Sequence, residues 1–172
     1  MLKRLLSIIL LFSLLLTIIA CTNSNKTEGT MRYYYLRSDV EFDKLDGVIA
    51  SEPHKNDLNA NDYSELIRIY LSGPHSDVLR SPFPPDIHLI SLTKDSSMII
   101  VTLSNNFADL SGLDLTLACV CLGMTAMEIT SAESVRIQTE NMPLDGKMSV
   151  TINRASIQLF DDHEQYINST ES

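Results

Sequence analysis

Cys119 and Cys121 are the side chains of this 172-residue sequence that most invite a chemical reading, as a redox or metal-binding pair. Two positions apart on a helix, they point about 200° away from each other and can neither bridge nor share a metal. They read instead as two small buried hydrophobes. His54, His75, His88 and His163 show no ligand spacing such as His-x3-His and stand among polar residues. That is the pattern of surface and strand histidines rather than of a zinc site. Ser72 sits beside Gly73 but lacks the Gly-x-Ser-x-Gly elbow of a serine nucleophile, and no glycine-rich phosphate loop occurs. Asp161-Asp162 with Glu164 could gather a calcium ion, yet without the glycine and ligand count of a calcium loop they read as a solvated acidic tail. Tyr33-Tyr34-Tyr35 could stack on a sugar or a peptide; alternation along a strand is expected to put one ring in the core and leave two partly exposed. The expectation is a chain without catalytic residues, cofactor or metal.

The residue with the clearest chemical assignment is Cys21. Lys3-Arg4 precede an uncharged run, Leu5 to Ile19, interrupted only by Ser7, Ser13 and Thr17. A basic start before a short apolar run is the signal-peptide pattern, because the positive end stays cytoplasmic while the apolar run enters the bilayer. Fifteen residues at ~1.5 Å each fall short of a ~30 Å hydrocarbon core, so a permanent span is the weaker reading. Ile18-Ile19-Ala20-Cys21 resembles the bacterial lipobox. The resemblance implies cleavage between Ala20 and Cys21 and acylation of Cys21, palmitate included, with more than one chain because a single chain holds a membrane only marginally. The competing readings are a secreted protein or an uncleaved anchor in which Cys21 is a free thiol. Thr22 to Thr30 holds no apolar residue and reads as a tether with a reach of about 16 Å. The expected organisation is a lipoprotein signal peptide over 1–20, a polar tether over 21–30, a folded domain over 31–140, and an appended hairpin and polar tail over 141–172.

Charge limits the partners. Thirteen Lys and Arg against 22 Asp and Glu give −9, and without Lys3 and Arg4 the remainder carries −11. Such a body repels phosphate backbones and anionic headgroups, which excludes nucleic acid and leaves the lipid as the membrane contact. Three Cys and no Trp exclude a disulfide-rich scaffold.

The elements that would position these residues follow from periodicity. Met31 to Arg37 is strand-prone, and Gly47-Val48-Ile49-Ala50 reads as a short edge strand. Asp62 with Glu65 has the form of a capping box, and Tyr63, Leu66, Ile67, Tyr70 and Leu71 make one apolar stripe ended by Gly73-Pro74. Ile87 to Leu92 and Met98 to Leu103 flank a polar turn, Lys94 to Ser97. A second helix starts at Ser111 or Gly112, with Leu113, Leu117, Val120, Cys121 and Met124 as its stripe and Ala118 and Leu122 widening it. Ser134 to Thr139 turns Val135 and Ile137 inward, and Asp145-Gly146 marks a hairpin between Met142–Leu144 and Met148–Ile152. The order β-α-β-β-α-β predicts an α+β fold, a small mixed sheet with two helices packed on one face and the other face partly wet.

That order and its punctuation resemble the GerMN domain of sporulation and spore-germination lipoproteins, a ring-building-motif-like module. Leu71-Ser72-Gly73-Pro74 matches the family's helix-ending Leu-x-Gly-Pro, and Leu79 through Pro82-Phe83-Pro84 matches its proline-rich approach to the hairpin. Val101-Thr102-Leu103-Ser104 followed by Phe107 resembles its Val-Asp-Leu-Ser plus aromatic, with Thr102 where Asp is common. Thr125 near a helix end, then Val135-Arg136-Ile137, resembles its last helix and strand. The resemblance runs from about Met31 to Glu140.

It implies a non-catalytic module on the extracytoplasmic face of the cell membrane that binds envelope or sporulation-complex proteins; the expected contact is a sheet edge or an exposed sheet face, and copies of the chain could also associate. A rival class is an envelope lipoprotein that binds or hydrolyses peptidoglycan-derived ligands, which requires convergent acid–base side chains in a deep cleft. An accessory lipoprotein outside sporulation would share every one of these sequence features.

Overall fold

Tyr33-Tyr34-Tyr35-Leu36 fall in the first strand, β1 (Thr30–Arg37), of the computed structural model, which describes residues 30–38, 47–55, 62–155 and 157. The signal peptide, Cys21 and almost all of the tether lie outside the described residues. β1 pairs antiparallel with β2 (Ile49–Lys55), from Thr30 opposite Lys55 to Leu36 opposite Ile49. The edge strand expected at Gly47–Ala50 therefore begins two residues later and runs five residues further. Alternation is blurred there because β2 is an edge strand, and Pro53 reads as a breaker. Arg37 N–H donates to Val48 O at 2.9 Å, so odd residues of β1 bond to β2 and even ones face away. Pro53 lies opposite the even residue Arg32, so its nitrogen points outward and no ladder bond is lost.

Asp62 caps the helix α1 (Tyr63–Leu71), its Oδ1 accepting from Glu65 N–H at 3.2 Å, a contact worth ~1 kcal/mol. Leu66, Ile67, Tyr70 and Leu71 are buried and Tyr63 half-buried, as the stripe predicts. Gly73 ends the helix at φ +103°, a conformation that glycine enters without steric cost. The short β3 (Leu79–Arg80) then pairs with the far side of β1, completing a three-stranded sheet in the order β2-β1-β3.

The hairpin strands are β4 (Leu89–Asp95) and β5 (Met98–Leu103). Asp95 pairs with Met98, so the turn is Ser96-Ser97 alone rather than the four residues expected, with Ser96 at φ +56°. Lys94 and Asp95 stay extended because Ile99 and Met98 offer them ladder partners. After a 3₁₀ turn, Asn105–Asp109, comes α2 (Gly112–Thr130). It carries the chain to β6 (Ser134–Thr139), which lies parallel to β5. The Asp145-Gly146 turn is present, both residues at positive φ, with Leu144 bridged to Lys147. The strand after it, β7 (Val150–Asn153), was expected in an appended ribbon; it pairs antiparallel with β6 as the last strand of a four-stranded sheet, β4-β5-β6-β7. Val150 and Ile152 sit opposite Ile137 and Val135 and extend the same apolar face.

The α+β class holds, but the strands form two sheets instead of one; α2 packs against both, while α1 packs on β4 and is tied to β1 by tyrosine hydrogen bonds. The face of α2 also differs from expectation. Leu115, Ala118, Leu122, Ala126 and Ile129 are buried, Leu117, Val120 and Met124 are half-buried, and Leu113 is 71% exposed. A helix that is apolar nearly all round carries no periodic signal to choose a face. Small residues made the choice. An ideal Cβ on Gly123 would stand 2.9 Å from Ile152 Cγ2, so only glycine lets the helix lie this close to β7.

Candidate functional site

The tyrosines are the first correction at the level of side chains. Tyr33 and Tyr35, two apart on β1, both face the helices and are buried at 1% and 0% exposure; Tyr34 is half-buried. Two rings are core, not one, because both reach in to α1 and end on its backbone carbonyls. Tyr33 Oη donates to Leu66 O at 3.0 Å, and Tyr35 Oη to Tyr70 O at 2.9 Å. Tyr70 in turn donates to Tyr34 O at 2.7 Å, while Thr125 Oγ1 accepts from Tyr34 N–H at 3.0 Å. Tyr34 is an even residue whose backbone faces away from β2, so side chains of the two helices supply the bonds that a neighbouring strand would. Burial pushes the Tyr33 hydroxyl up to about 12 and those of Tyr35 and Tyr70 well above their ordinary value. These rings are not a platform for a sugar.

Cys119 and Cys121 are free, buried thiols, each pushed up to about 12 by desolvation, and they are inert at neutral pH. His75 is exposed with Nδ1 3.4 Å from Glu52 Oε1. That carboxylate also accepts the backbone N–H groups of His75 (3.1 Å) and Ser76 (3.2 Å), fastening the loop after Gly73-Pro74 to β2. His54 stacks on Tyr33 with centroids 4.5 Å apart, and His88 Nδ1 lies 3.1 Å from Asp86 O. Ser72 Oγ donates to Ile69 O at 2.6 Å as part of the helix end. Ala20, Cys21, Asp161, Asp162, His163 and Glu164 lie outside the described residues. Among the described residues no three His, Cys, Asp or Glu side chains are grouped to hold a metal ion. A hollow of about 750 Å³ lies beside β2, bordered by Glu52, His54, Lys55 and His75 and open to solvent.

The second sheet presents a different surface. Ile99, Val101, Val135 and Ile137 face the helices and are fully buried. The opposite face carries Ser91 and Thr93 from β4, Ile100 and Thr102 from β5, and Arg136 and Gln138 from β6. It is polar, nearly uncharged and partly wet, with Gln138 Nε2 donating to Thr102 Oγ1 at 3.2 Å. At the edge of this face runs β4, exposed from Thr93 to Asp95.

The residues that mark the chain in sequence are spent on joining the two sheets. Phe83 meets Tyr70 edge-on with centroids 5.4 Å apart and reaches Phe107 at 6.3 Å. Ser104 Oγ accepts from His88 N–H at 3.0 Å and donates to Asn106 Oδ1 at 2.6 Å; Asn106 Nδ2 donates to Pro85 O at 2.7 Å. Asn105 Oδ1 accepts from Asn141 N–H at 3.0 Å. Sequence patterning missed this network and the role of Glu52; Ser-Asn-Asn after a strand is its only local signal.

Residues 32–145 match the Germane family model, described as sporulation and spore germination. The fold is similar to the first GerMN domain of the sporulation protein GerM from Bacillus subtilis, at 16% identity and a TM-score of 0.57, covering 74% of this chain and 98% of that one. The tandem GerMN domains of the same protein align at 17% identity and a TM-score of 0.50, covering 76% of this chain and 47% of theirs. No curated protein sequence matches the chain.

Proposed function

The chain belongs to the Germane family of sporulation and spore germination, and from that premise we propose that it is a lipoprotein whose folded body binds other envelope proteins without catalysis. Cys21 carries the acyl chains, Thr22 to Thr30 is the leash, and the body works at the extracytoplasmic face of the cell membrane during sporulation or germination. The observation that carries this reading is the contrast between reactive groups and open surface. The tyrosines and thiols with shifted titration are buried, while a polar sheet face and its edge strand are open.

Surfaces of this kind bind by shape and backbone pairing. Cys21→Ala is expected to release the protein from salt-washed membranes, and retention there overturns the anchor. Affinity capture from sporulating cells after cross-linking is expected to recover envelope proteins with the wild-type chain. Recovery of none, or production in a host without sporulation, overturns the sporulation role. Hydrolysis of peptidoglycan fragments would need a free acid–base pair in the hollow beside β2. Glu52 is there, but its oxygens already accept two backbone N–H groups.

A further inference from the structure

The edges of the two sheets differ in how much straight outward backbone they keep among the described residues. Pro53 offers no donor midway along the outer edge of β2, Tyr70 and Thr125 bond the carbonyl and N–H of Tyr34 on β1, and β7 is only four residues long. β4 carries Lys94 and lies beside α1, yet from Thr93 to Asp95 it stays exposed. Because Ser96-Ser97 is a two-residue turn, Asp95 and Met98 form a hydrogen-bonded pair, and so do Thr93 with Ile100 and Ser91 with Thr102. Ser104 N–H to His88 O on one side of β5 and Glu140 N–H to Leu103 O on the other fix the same parity. The N–H and C=O groups of Leu92 and Lys94 therefore point outward from β4. The strand is straight there, its bulge lying earlier, between Leu89 and Ser91.

We propose that a second copy of this chain pairs antiparallel with β4 in a two-fold register centred on Thr93. In that register Leu92 faces Lys94 of the other copy twice over, which uses all the outward backbone groups of the straight stretch in four hydrogen bonds. Thr93 meets Thr93, a favourable cross-strand pair, and Ser91 meets Asp95 on the same polar face. No like charges stand directly opposite, since Lys94 lies across from Leu92. A strand of another sequence could match the backbone, but the side chains of β4 complement their own two-fold image. The contact is small, so the pairing is transient, and the net charge of −9 weakens it further at low salt. The inference goes beyond the anchor and the envelope partners proposed above and depends on neither.

Thr93→Cys tests it directly. On the two-fold axis the two Cα atoms of a non-hydrogen-bonded pair stand about 4.5 Å apart, within reach of a disulfide. Asp95→Cys places its thiols about 13 Å apart along the strands, beyond reach. In cells producing the full chain, mild oxidation is expected to give at least tenfold more disulfide-linked homodimer from Thr93→Cys than from Asp95→Cys or the wild type. Adding Lys94→Pro to Thr93→Cys removes one outward donor per copy, leaves the β4–β5 bonds intact, and is expected to return the yield to background. Equal yields from Thr93→Cys and Asp95→Cys, cross-linking to a different protein, or a dimer indifferent to Lys94→Pro overturns the pairing. The readout is taken from whole-cell extract, so a failed membrane anchor cannot imitate a failed pairing.

Discussion

The two sheets meet the same hazard, unpaired backbone at a strand edge, and answer it differently. In the sheet of β1 to β3 the free edge of β1 is covered from inside the fold: Tyr70 donates to Tyr34 O and Thr125 accepts from Tyr34 N–H, both buried. The outer edge of β2 carries Pro53, which offers a second strand no donor there. In the sheet of β4 to β7, β4 keeps its outward groups in water. A closed edge stabilises one chain; an open one is available for a partner. If the proposed edge pairing holds, stability and association fall to separate sheets that share one core.

The comparison breaks hardest at that shared core. Leu122 is fully buried in α2, which touches both sheets. Leu122→Ala is expected to cost about 2–5 kcal/mol and to melt both sheets in one transition by calorimetry, whereas Leu117→Ala, at a half-buried position, costs less. Two separate transitions would show that the sheets do not share their stability. Tyr70→Phe removes the hydroxyl that donates to Tyr34 O, a loss of about 1–3 kcal/mol by denaturant unfolding. An unchanged midpoint would mean that water replaces the hydroxyl without cost.

Alkaline pH attacks the buried groups behind β1 and on α2. Tyr33, Cys119 and Cys121 hold their protons up to about pH 12 in the fold, against ordinary values of 10.0 and 9.0. Folded values raised above unfolded ones mean that this stability is intact below about pH 9 and drains away as pH climbs toward 12. Circular dichroism against pH is expected to show unfolding in that window, and a flat curve through pH 12 contradicts the burial of these groups. The smallest effect is expected at the open edge, where Lys94→Pro should change stability by no more than about 0.5 kcal/mol while abolishing edge pairing. A larger loss would place Lys94 N–H inside the ladder instead of outside it.

Much of this was legible in residue order. α1 declares itself because its stripe is narrow, its cap is an Asp and its end is a Gly-Pro. β5 and β6 show through Ile99, Val101, Val135 and Ile137, alternating residues with one wet face. α2 is legible as a helix but not as a face. Leu113 and Leu122 look alike in a sequence apolar on every side, yet one is 71% exposed and the other fully buried. β2 is only half legible, since an edge strand needs little alternation and Pro53 suggests interruption. The inertness of Cys119 and Cys121 could be argued from spacing; that of Glu52 beside His75 could not, because its partners are backbone groups more than twenty residues away.

Local order along the chain determined both helices, the core strands and the family, because caps, periodicity and glycine or proline conformations are settled within a few residues. Tertiary structure alone decided that the strands divide into two sheets, that β7 joins the second, which side of α2 is buried and which edge stays open. Those outcomes depend on hydrogen bonds and close contacts between segments distant in sequence, such as Tyr34 with Thr125 and Gly123 with Ile152. No short-range pattern encodes such pairings.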